Sequence, residues 1–361
     1  MNAKDFVEID GSYLEGGGQA LRNALSLSCI LGKPVRVVKI RANRPNPGLS
    51  IQNMHGLDLL RDITNADVVG NVLCSTRVEF TPHTILDNTY RVETCTAASI
   101  TLIYQMALPV LLFAGHSSRL IVTGGTNVAF APPVEYMQQV LLPNLKHFGA
   151  GFDLKVQNYG FYPRGRGNCQ LDVQPVAKLN AGQFIDFGRI NLISGVAFCA
   201  GCLPINIAID MKKTAQREIH RLWPEQECTI ETVKHSRERA QDNGAGITIT
   251  ANTTAGVVLG ASALGKKRID GYVLGSKASC QLTEFIRKEI CVDDYMQDQL
   301  IIYMALAVGR SRMRTGRLTK HTRTAIHVAE KLTGVKFDVA AEPGGQTLVT
   351  CEGLGQLNKM L

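Results

Sequence analysis

No apolar run in this 361-residue chain is long enough to cross a membrane. The strongest candidate, "LIYQMALPVLLFAG" at 102–115, falls short of the ~20 residues a span needs, holds Pro109, and suits a buried helix. The opening "MNAKDFVEIDG" is acidic and polar and lacks a signal peptide, so an intracellular protein with no membrane partner is expected. The ten cysteines have no regular spacing, and in an intracellular chain they read as reduced core residues, not as a disulfide framework. Cys199-Ala-Gly-Cys202 is a lone CxxC without a second pair or a nearby histidine, so two buried thiols are expected there rather than zinc or redox chemistry. Charged residues make up only 19%, against 45% hydrophobic, which excludes wholesale disorder and permits a large core.

What charge there is leans one way. The net charge of +8 and pI of about 9.0 favour a polyanionic partner, nucleic acid or nucleotide. The length suggests two or three domains, or one large composite.

Apolar periodicity gives a recurring order of elements. Strand 5–10, helix 17–32, strand 35–40 and helix 52–66 are followed by strands 77–82 and 89–93, which are expected to close a first unit. Helix 98–114, strand 118–124, helix 133–149 and strands 152–157 and 168–175 repeat that order. Helix 294–309, strand 311–318, a helix from about 322 to 333 and strands 335–340 and 347–352 give a third copy. Three like units imply an α/β fold with a pseudo-threefold core of βαβαββ-type repeats. A different block interrupts them, with strand 189–198, helix 204–222 and strands near 228–234, 245–251 and 256–261; helix 277–290 lies at its border. The expected division is 1–184 for two core repeats, 185–285 for a small inserted α/β domain, and 286–361 for the third repeat.

In each copy a loop joins the middle strand to the second helix: "RANRPNPGLS" (41–50), "GGTNVAFAP" (124–132) and "TKHTR" (319–323). Helix N-termini attract anions, so some of these loops are expected to line a phosphate-binding cleft. "LEGGGQALR" (14–22) is a glycine run without a P-loop lysine or dinucleotide spacing; it reads equally as a tight turn or an anion site, with Glu15 a possible Mg²⁺ ligand and Arg22 beside it. Arg41 and Arg44 suit bidentate phosphate contacts, although a solvated basic loop is the plainer reading. "DDYMQDQL" (293–300) can be a simple acidic helix start, yet Tyr295, Asp298 and Gln299 at i, i+3, i+4 share a face that could hold a nucleoside. His321 sits at or just before a helix start that Thr322 or Thr324 can cap. Lys320, Arg317 and Arg323 around it are expected to depress its pKa below about 6.5, leaving the nucleophilic neutral imidazole at pH 7. His327, six residues on, is not expected to be its partner.

Together "EIDGSYLEGGGQALR", "KIRANRPNPGL", "GGTN…APP…Y", "GFYPRGRG", "DDYMQDQL" and "HTRTAIHVAE" resemble the RNA 3′-terminal phosphate cyclase family over nearly the whole chain. The resemblance implies a core shared with the enolpyruvyl transferases and an inserted small domain. It also implies an ATP-dependent ligase that converts an RNA 3′-phosphate to a 2′,3′-cyclic phosphate through a histidine-AMP adduct and an adenylylated RNA end. By motif the nucleophile is His321. Gln105, Pro132, Tyr295, Asp298 and Gln299 match ATP-contacting positions, and Glu15, Arg22, Arg41, Arg44 and Gln52 match positions near the phosphates. Mg²⁺ or another divalent cation is expected, and nuclear residence is consistent with the family. Three positions depart from its pattern: Asn43 and Ala98 stand at frequent glycines, and Arg166 interrupts the run in "PRGRG". A non-catalytic ribosome-assembly branch lacks the histidine, which is intact here; an enolpyruvyl-type transferase would need a pocket for which no motif is found. Neither the physiological RNA nor the oligomeric state is legible.

Overall fold

The computed structural model describes residues 6–266 and 270–361. Asp5, with which the first expected strand began, and residues 267–269 of the expected insert lie outside the described residues.

Strand β1 (Val7–Asp10), helix α1 (Gln19–Leu31), β2 (Val35–Val38), α2 (Ile51–Thr64), β3 (Asp67–Val69) and β4 (Val78–Thr81) come first. Next are β5 (Thr89–Glu93), α3 (Ile100–Leu111), β6 (Ser118–Gly124), a segmented helix, β7 (Phe152–Asn158) and β8 (Gly167–Val173). That helix runs as α4 (Val134–Tyr136), a π turn (Met137–Leu141), α5 (Leu142–Leu145) and a 3₁₀ turn (Lys146–Phe148). The cause is Pro143: it has no N–H to donate one turn back, and the backbone widens just before it. Then follow β9 (Gln183–Phe184), β10 (Ile190–Ala200), α6 (Asn206–Leu222), β11 (Cys228–Lys234), β12 (Gly244–Thr253), β13 (Val258–Leu264) and α7 (Gly271–Arg287). The chain ends with α8 (Gln297–Leu306), β14 (Arg310–Thr315), α9 (Lys320–Thr333), β15 (Phe337–Ala341) and β16 (Thr347–Glu352).

The strands form four small sheets, ordered β1-β2-β4-β3, β5-β6-β8-β7, β9-β14-β16-β15 and β11-β10-β12-β13. In each of the first three, the first-named pair is parallel and the other two pairs are antiparallel. A parallel pair needs a crossover, and α1 and α3 supply it for the first two sheets. In the third, the whole segment from β10 to α8 lies between β9 and β14. The fourth sheet carries α6 and α7.

Several expected boundaries change. "TYRVE" does not close the first unit: β5 pairs in parallel with β6, Thr89 opposite Arg119, and so opens the second sheet. The first sheet is completed instead by β3, whose three residues are too few for alternation to show. Helix α7 begins at Gly271, ahead of the expected 277, because Asp270 caps it through Val273 N–H (3.0 Å). Its glycines let it lie against α6: a Cβ on Gly275 would come 2.4 Å from the Met211 carbonyl.

Among the described residues one large apolar core, with Phe80, Tyr104, Tyr136, Phe148 and Phe184 among its fully buried rings, is accompanied by a small second cluster of Phe161, Phe198, Ala200 and Ala240. All ten cysteines are free; Cys199 is buried as expected, but Cys202 is exposed. No helix among the described residues is long and apolar enough to cross a membrane. Helix α9 packs between α1 and α8, and that arrangement assembles the site.

Candidate active site

Helix α9 starts at Lys320, earlier than its periodicity suggests. Its cap is Thr319, whose hydroxyl accepts from Thr322 N–H (3.1 Å). The two threonines expected to cap it do other things: Thr322 donates its hydroxyl to Gln297 Oε1 (2.7 Å), and Thr324 donates to the Lys320 carbonyl (2.9 Å). His321 is therefore the second residue of the helix. Its ring is half-buried, and Nδ1 is buried with no hydrogen-bond partner.

Three charged groups face this imidazole. Burial lowers its pKa below 6.5; Glu15 opposes the shift, and Arg22 and Arg44 reinforce it. The expected direction holds, but its sources differ. Arg317, Lys320 and Arg323 are exposed, and the cations that matter come from α1 and from the loop after β2.

Glu15 lies in the glycine run. One carboxylate oxygen is paired with Arg44, and the other, Oε2, is buried without a partner. A Cβ on Gly17 would fall 1.9 Å from Glu15 Oε1, so a larger residue there would push this carboxylate from its place, and Gly16 has φ +57, in the left-handed region that favours glycine. Arg22, from α1, is held by the Gln19 side chain, and its Nε is buried and unpaired. Across from it, burial pushes the Asp298 carboxyl up to about 7, with Arg22 pulling the other way. Arg41 has φ +52 and donates to the Gly48 carbonyl (2.8 Å), closing its own loop beside Arg44 and Glu15.

His321, Glu15, Arg22, Arg44 and Asp298 thus come together, with Arg41 at their edge. Gln105 and Gln299 line one small cavity of about 20 Å³ with Gln19 and Asn23, room for a water and not for a nucleobase. Gln52, Pro132 and Tyr295 make their contacts elsewhere. Gln52 Oε1 accepts from Ser99 N–H (3.0 Å), the cap of α3, and the Pro132 carbonyl accepts from Thr101 (2.7 Å). Tyr295 precedes α8 instead of sitting on its face; its ring stands edge-on to Tyr136 at 5.8 Å, and its carbonyl accepts from Gln299 (2.6 Å). Tyr13 stacks on His327 at 4.0 Å, which occupies that second histidine.

The sequence reading missed Gln297. It is fully buried, and its Oε1 accepts both from Thr319 N–H (3.1 Å) and from the Thr322 hydroxyl, so it fixes the turn that carries His321. Among the described residues no group of three or more His, Cys, Asp or Glu could hold a metal ion. Within the His321 cluster, Glu15 Oε2 is a buried carboxylate oxygen in want of a partner. That fits a cation such as Mg²⁺, which takes one or two carboxylates and otherwise water and substrate phosphates.

The sequence profile described as RNA 3′-terminal phosphate cyclase matches residues 13–339. The chain belongs to the RNA 3′-terminal phosphate cyclase family. It is similar to an RNA 3′-terminal phosphate cyclase of Drosophila melanogaster, 79% identical over 361 residues and the full length of both chains. A relative of the same name from Pyrobaculum aerophilum is 38% identical over 349 residues, covering 97% of this chain and 99% of its own. A probable RNA 3′-terminal phosphate cyclase of Dictyostelium discoideum is 35% identical over 98% of this chain and 84% of its own. As a member of this cyclase family, the chain is an enzyme of the ligase class.

Proposed function

We propose that the His321 cluster carries out ATP-dependent conversion of an RNA 3′-terminal phosphate to a 2′,3′-cyclic phosphate. The observation that carries this reading is a half-buried imidazole, kept neutral by burial, in the first turn of a helix and opposite Glu15, Arg22 and Arg44. An imidazole nitrogen attacks the α-phosphorus of ATP; the N–P bond forms and pyrophosphate leaves. Arg22 and Arg44 face the place where phosphate charge develops, and the α9 N-terminus adds its dipole. An oxygen of the RNA 3′-phosphate then displaces histidine and takes the AMP. Finally the neighbouring 2′-hydroxyl attacks the terminal phosphorus, loses its proton, and expels AMP. A divalent cation bound with ATP would neutralise phosphate charge, with Glu15 Oε2 as its foothold on this chain.

Gln105, Pro132, Tyr295, Asp298 and Gln299 are proposed to hold the nucleoside, and Glu15, Arg22, Arg41, Arg44 and Gln52 to attend the phosphates. An arginine beside a carboxyl whose pKa is near 7 suits a pocket that must admit an anion. The proposed architecture is three βαβαββ repeats about a pseudo-threefold axis, supported by three sheets of identical order and sense. Residues 1–184, 185–285 and 286–361 are the proposed units, with β9 reaching from the first segment into the sheet of the third and α7 ending the insert.

The 2′-hydroxyl gives the decisive test, because its attack is intramolecular and so outpaces outside water. An RNA strand with a 3′-phosphate should yield the cyclic end and AMP on incubation with ATP and Mg²⁺. A strand ending in a 2′-deoxynucleotide 3′-phosphate should stall as the adenylylated species, visible on a gel and by mass. Rapid AMP release from the deoxy strand, regenerating the plain 3′-phosphate, would make this a hydrolase.

A further inference from the structure

The loop from β6 to α4 and the hairpin from β7 to β8 pack on each other. Thr126 N–H and hydroxyl both reach the Gly160 carbonyl, at 2.9 and 3.1 Å. A Cβ on Gly165 would lie 3.0 Å from both Ala97 Cα and the Gly124 carbonyl carbon, so the two loops share a tight backbone base. Two aromatic rings project from this base into solvent: Phe130 is 96% exposed and Tyr162 is 80% exposed.

Phe130 is the more telling. Its backbone has φ +66, the left-handed region that a bulky side chain adopts only at a cost. The fold thus holds a large apolar ring in water and a strained backbone beneath it, and packing accounts for neither. The cations are close by. Arg164 and Arg166 are exposed on the same hairpin. Arg164 is paired with Asp242 of the insert, whereas Arg166 donates only to the Gln241 side chain (3.0 Å) and keeps its charge uncompensated by a carboxylate. Arg166 is also left-handed, at φ +60.

A chain of contacts links this surface to the His321 cluster. Two residues after Phe130, the Pro132 carbonyl holds Thr101 in the first turn of α3. Ser99, the cap of that helix, gives its N–H to Gln52. The next residue, Asn53, lies against Gly18 and Arg22: a Cβ on Gly18 would be 3.3 Å from Asn53 Nδ2 and 2.8 Å from an Arg22 Nη.

We infer that Phe130 and Tyr162 form a stacking platform for the unpaired bases next to the 3′ end of the RNA substrate, with Arg166 attending the adjoining phosphates. This rests on the function proposed above. Unpaired RNA offers a flat π-face at every base and a charge at every phosphate, and exposed rings interleaved with arginine match both. A protein partner would leave the arginine pattern unexplained. The nucleoside of ATP is assigned above to residues that include Tyr295 and Asp298, and a ring almost wholly in solvent is placed for a base arriving from outside.

The test uses the full chain and a fluorescent RNA oligonucleotide with a 3′-phosphate. Binding is read by anisotropy, and covalent AMP labelling is read with ATP alone. Phe130→Ala and Tyr162→Ala should each weaken RNA binding by about tenfold, the size of a lost base stack. AMP labelling should not change, and Phe130→Trp should restore binding. Making the last two nucleotides abasic should lower wild-type affinity to that of the Phe130→Ala/Tyr162→Ala double variant and leave that double variant unmoved. RNA affinity unchanged in both alanine variants would overturn the inference and point to a protein partner. An equal loss of AMP labelling would also overturn it, because Phe130 would then serve ATP. Should the wild type bind RNA in this ring-dependent way yet never cyclise it, the platform would stand and the proposed reaction would fall.

Discussion

At the scale of single residues, the proposed chemistry turns on the charge state of His321. Its folded pKa lies below 6.5, so the imidazole is neutral at pH 7 and remains so on modest acidification. The acid limb of AMP labelling should therefore lie at lower pH than the titration of a free imidazole. Glu15 raises this pKa, and Arg44 lowers it. Glu15→Gln should move the acid limb to lower pH and Arg44→Ala to higher pH, measured as single-turnover labelling across pH 5–8. Limbs that coincide in all three proteins would show that another group governs the profile. His321→Ala should fold, since the ring is only half-buried, and should accept no AMP; the wild-type adduct should be acid-labile and alkali-stable. Arg44→Ala should also slow turnover at pH 7 far more than Lys266→Ala, whose charge lies exposed in the insert. Equal losses would mean diffuse steering rather than a local site.

At the scale of elements, the junction of α8 and α9 sets the position of His321, the proposed nucleophile. Gln297 Oε1 serves two donors, Thr319 N–H and the Thr322 hydroxyl, and Gln297 is wholly buried. Gln297→Ala strands both donors and should cost about 1–3 kcal/mol in urea unfolding. Thr319→Ala removes the cap alone and should cost about 1 kcal/mol. The two should separate in activity as well. Gln297→Ala frees the turn bearing His321 from α8 and should cut labelling well below wild type under conditions where it is fully folded. Thr319→Ala should retain most of it, because Gln297 still holds Thr322. The reverse order would assign the positioning role to the cap.

At the scale of the molecule, a buried carboxylate ties segments distant in sequence together. Asp293 is fully buried and accepts from Tyr136 Oη (2.6 Å), from Gly260 N–H in the insert's sheet (2.9 Å), and from the turn that carries Tyr295. The chain joins three sequence-distant segments on one side chain just below the proposed nucleoside pocket. Burial pushes Asp293 up to about 6, and Glu135, held by Asn127 at 2.7 Å, up to about 7. Both folded values exceed the unfolded ones, so the folded state binds the extra protons. The stability that these groups contribute is fully present below about pH 4 and is lost as pH rises through 6 and 7. Glu135→Gln removes one of the two. Its melting temperature should fall less than that of the wild type between pH 5 and 8, with a difference of up to about 3 kcal/mol across the window. Parallel curves would show that Glu135 stays ionised when folded.

Much of the architecture could be read from spacing alone. Strands 89–93, 118–124, 228–234 and 347–352 fall where alternation put them, because a half-buried strand writes its pattern in every second residue. The strands that form the fourth sheet stood out as a change in the order of elements. The short pieces were not: β3 and β9 have three and two residues, too few for any period, and their strand character comes from their neighbours. For the same reason 89–93 was expected to close the first unit but lies in the second sheet, since pairing partners are a matter of distance and not of local pattern. In the site, local motifs announced His321, Glu15, Arg22 and Arg44 separately. Sequence determined that an imidazole would stand at a helix start and that arginines would stand near helix N-termini. Only the packing of α9 between α1 and α8 decided which of them meet: Arg22 and Arg44 rather than Lys320 and Arg323 set the field on His321, because charges act through space, and chain neighbours on an exposed helix face point into water.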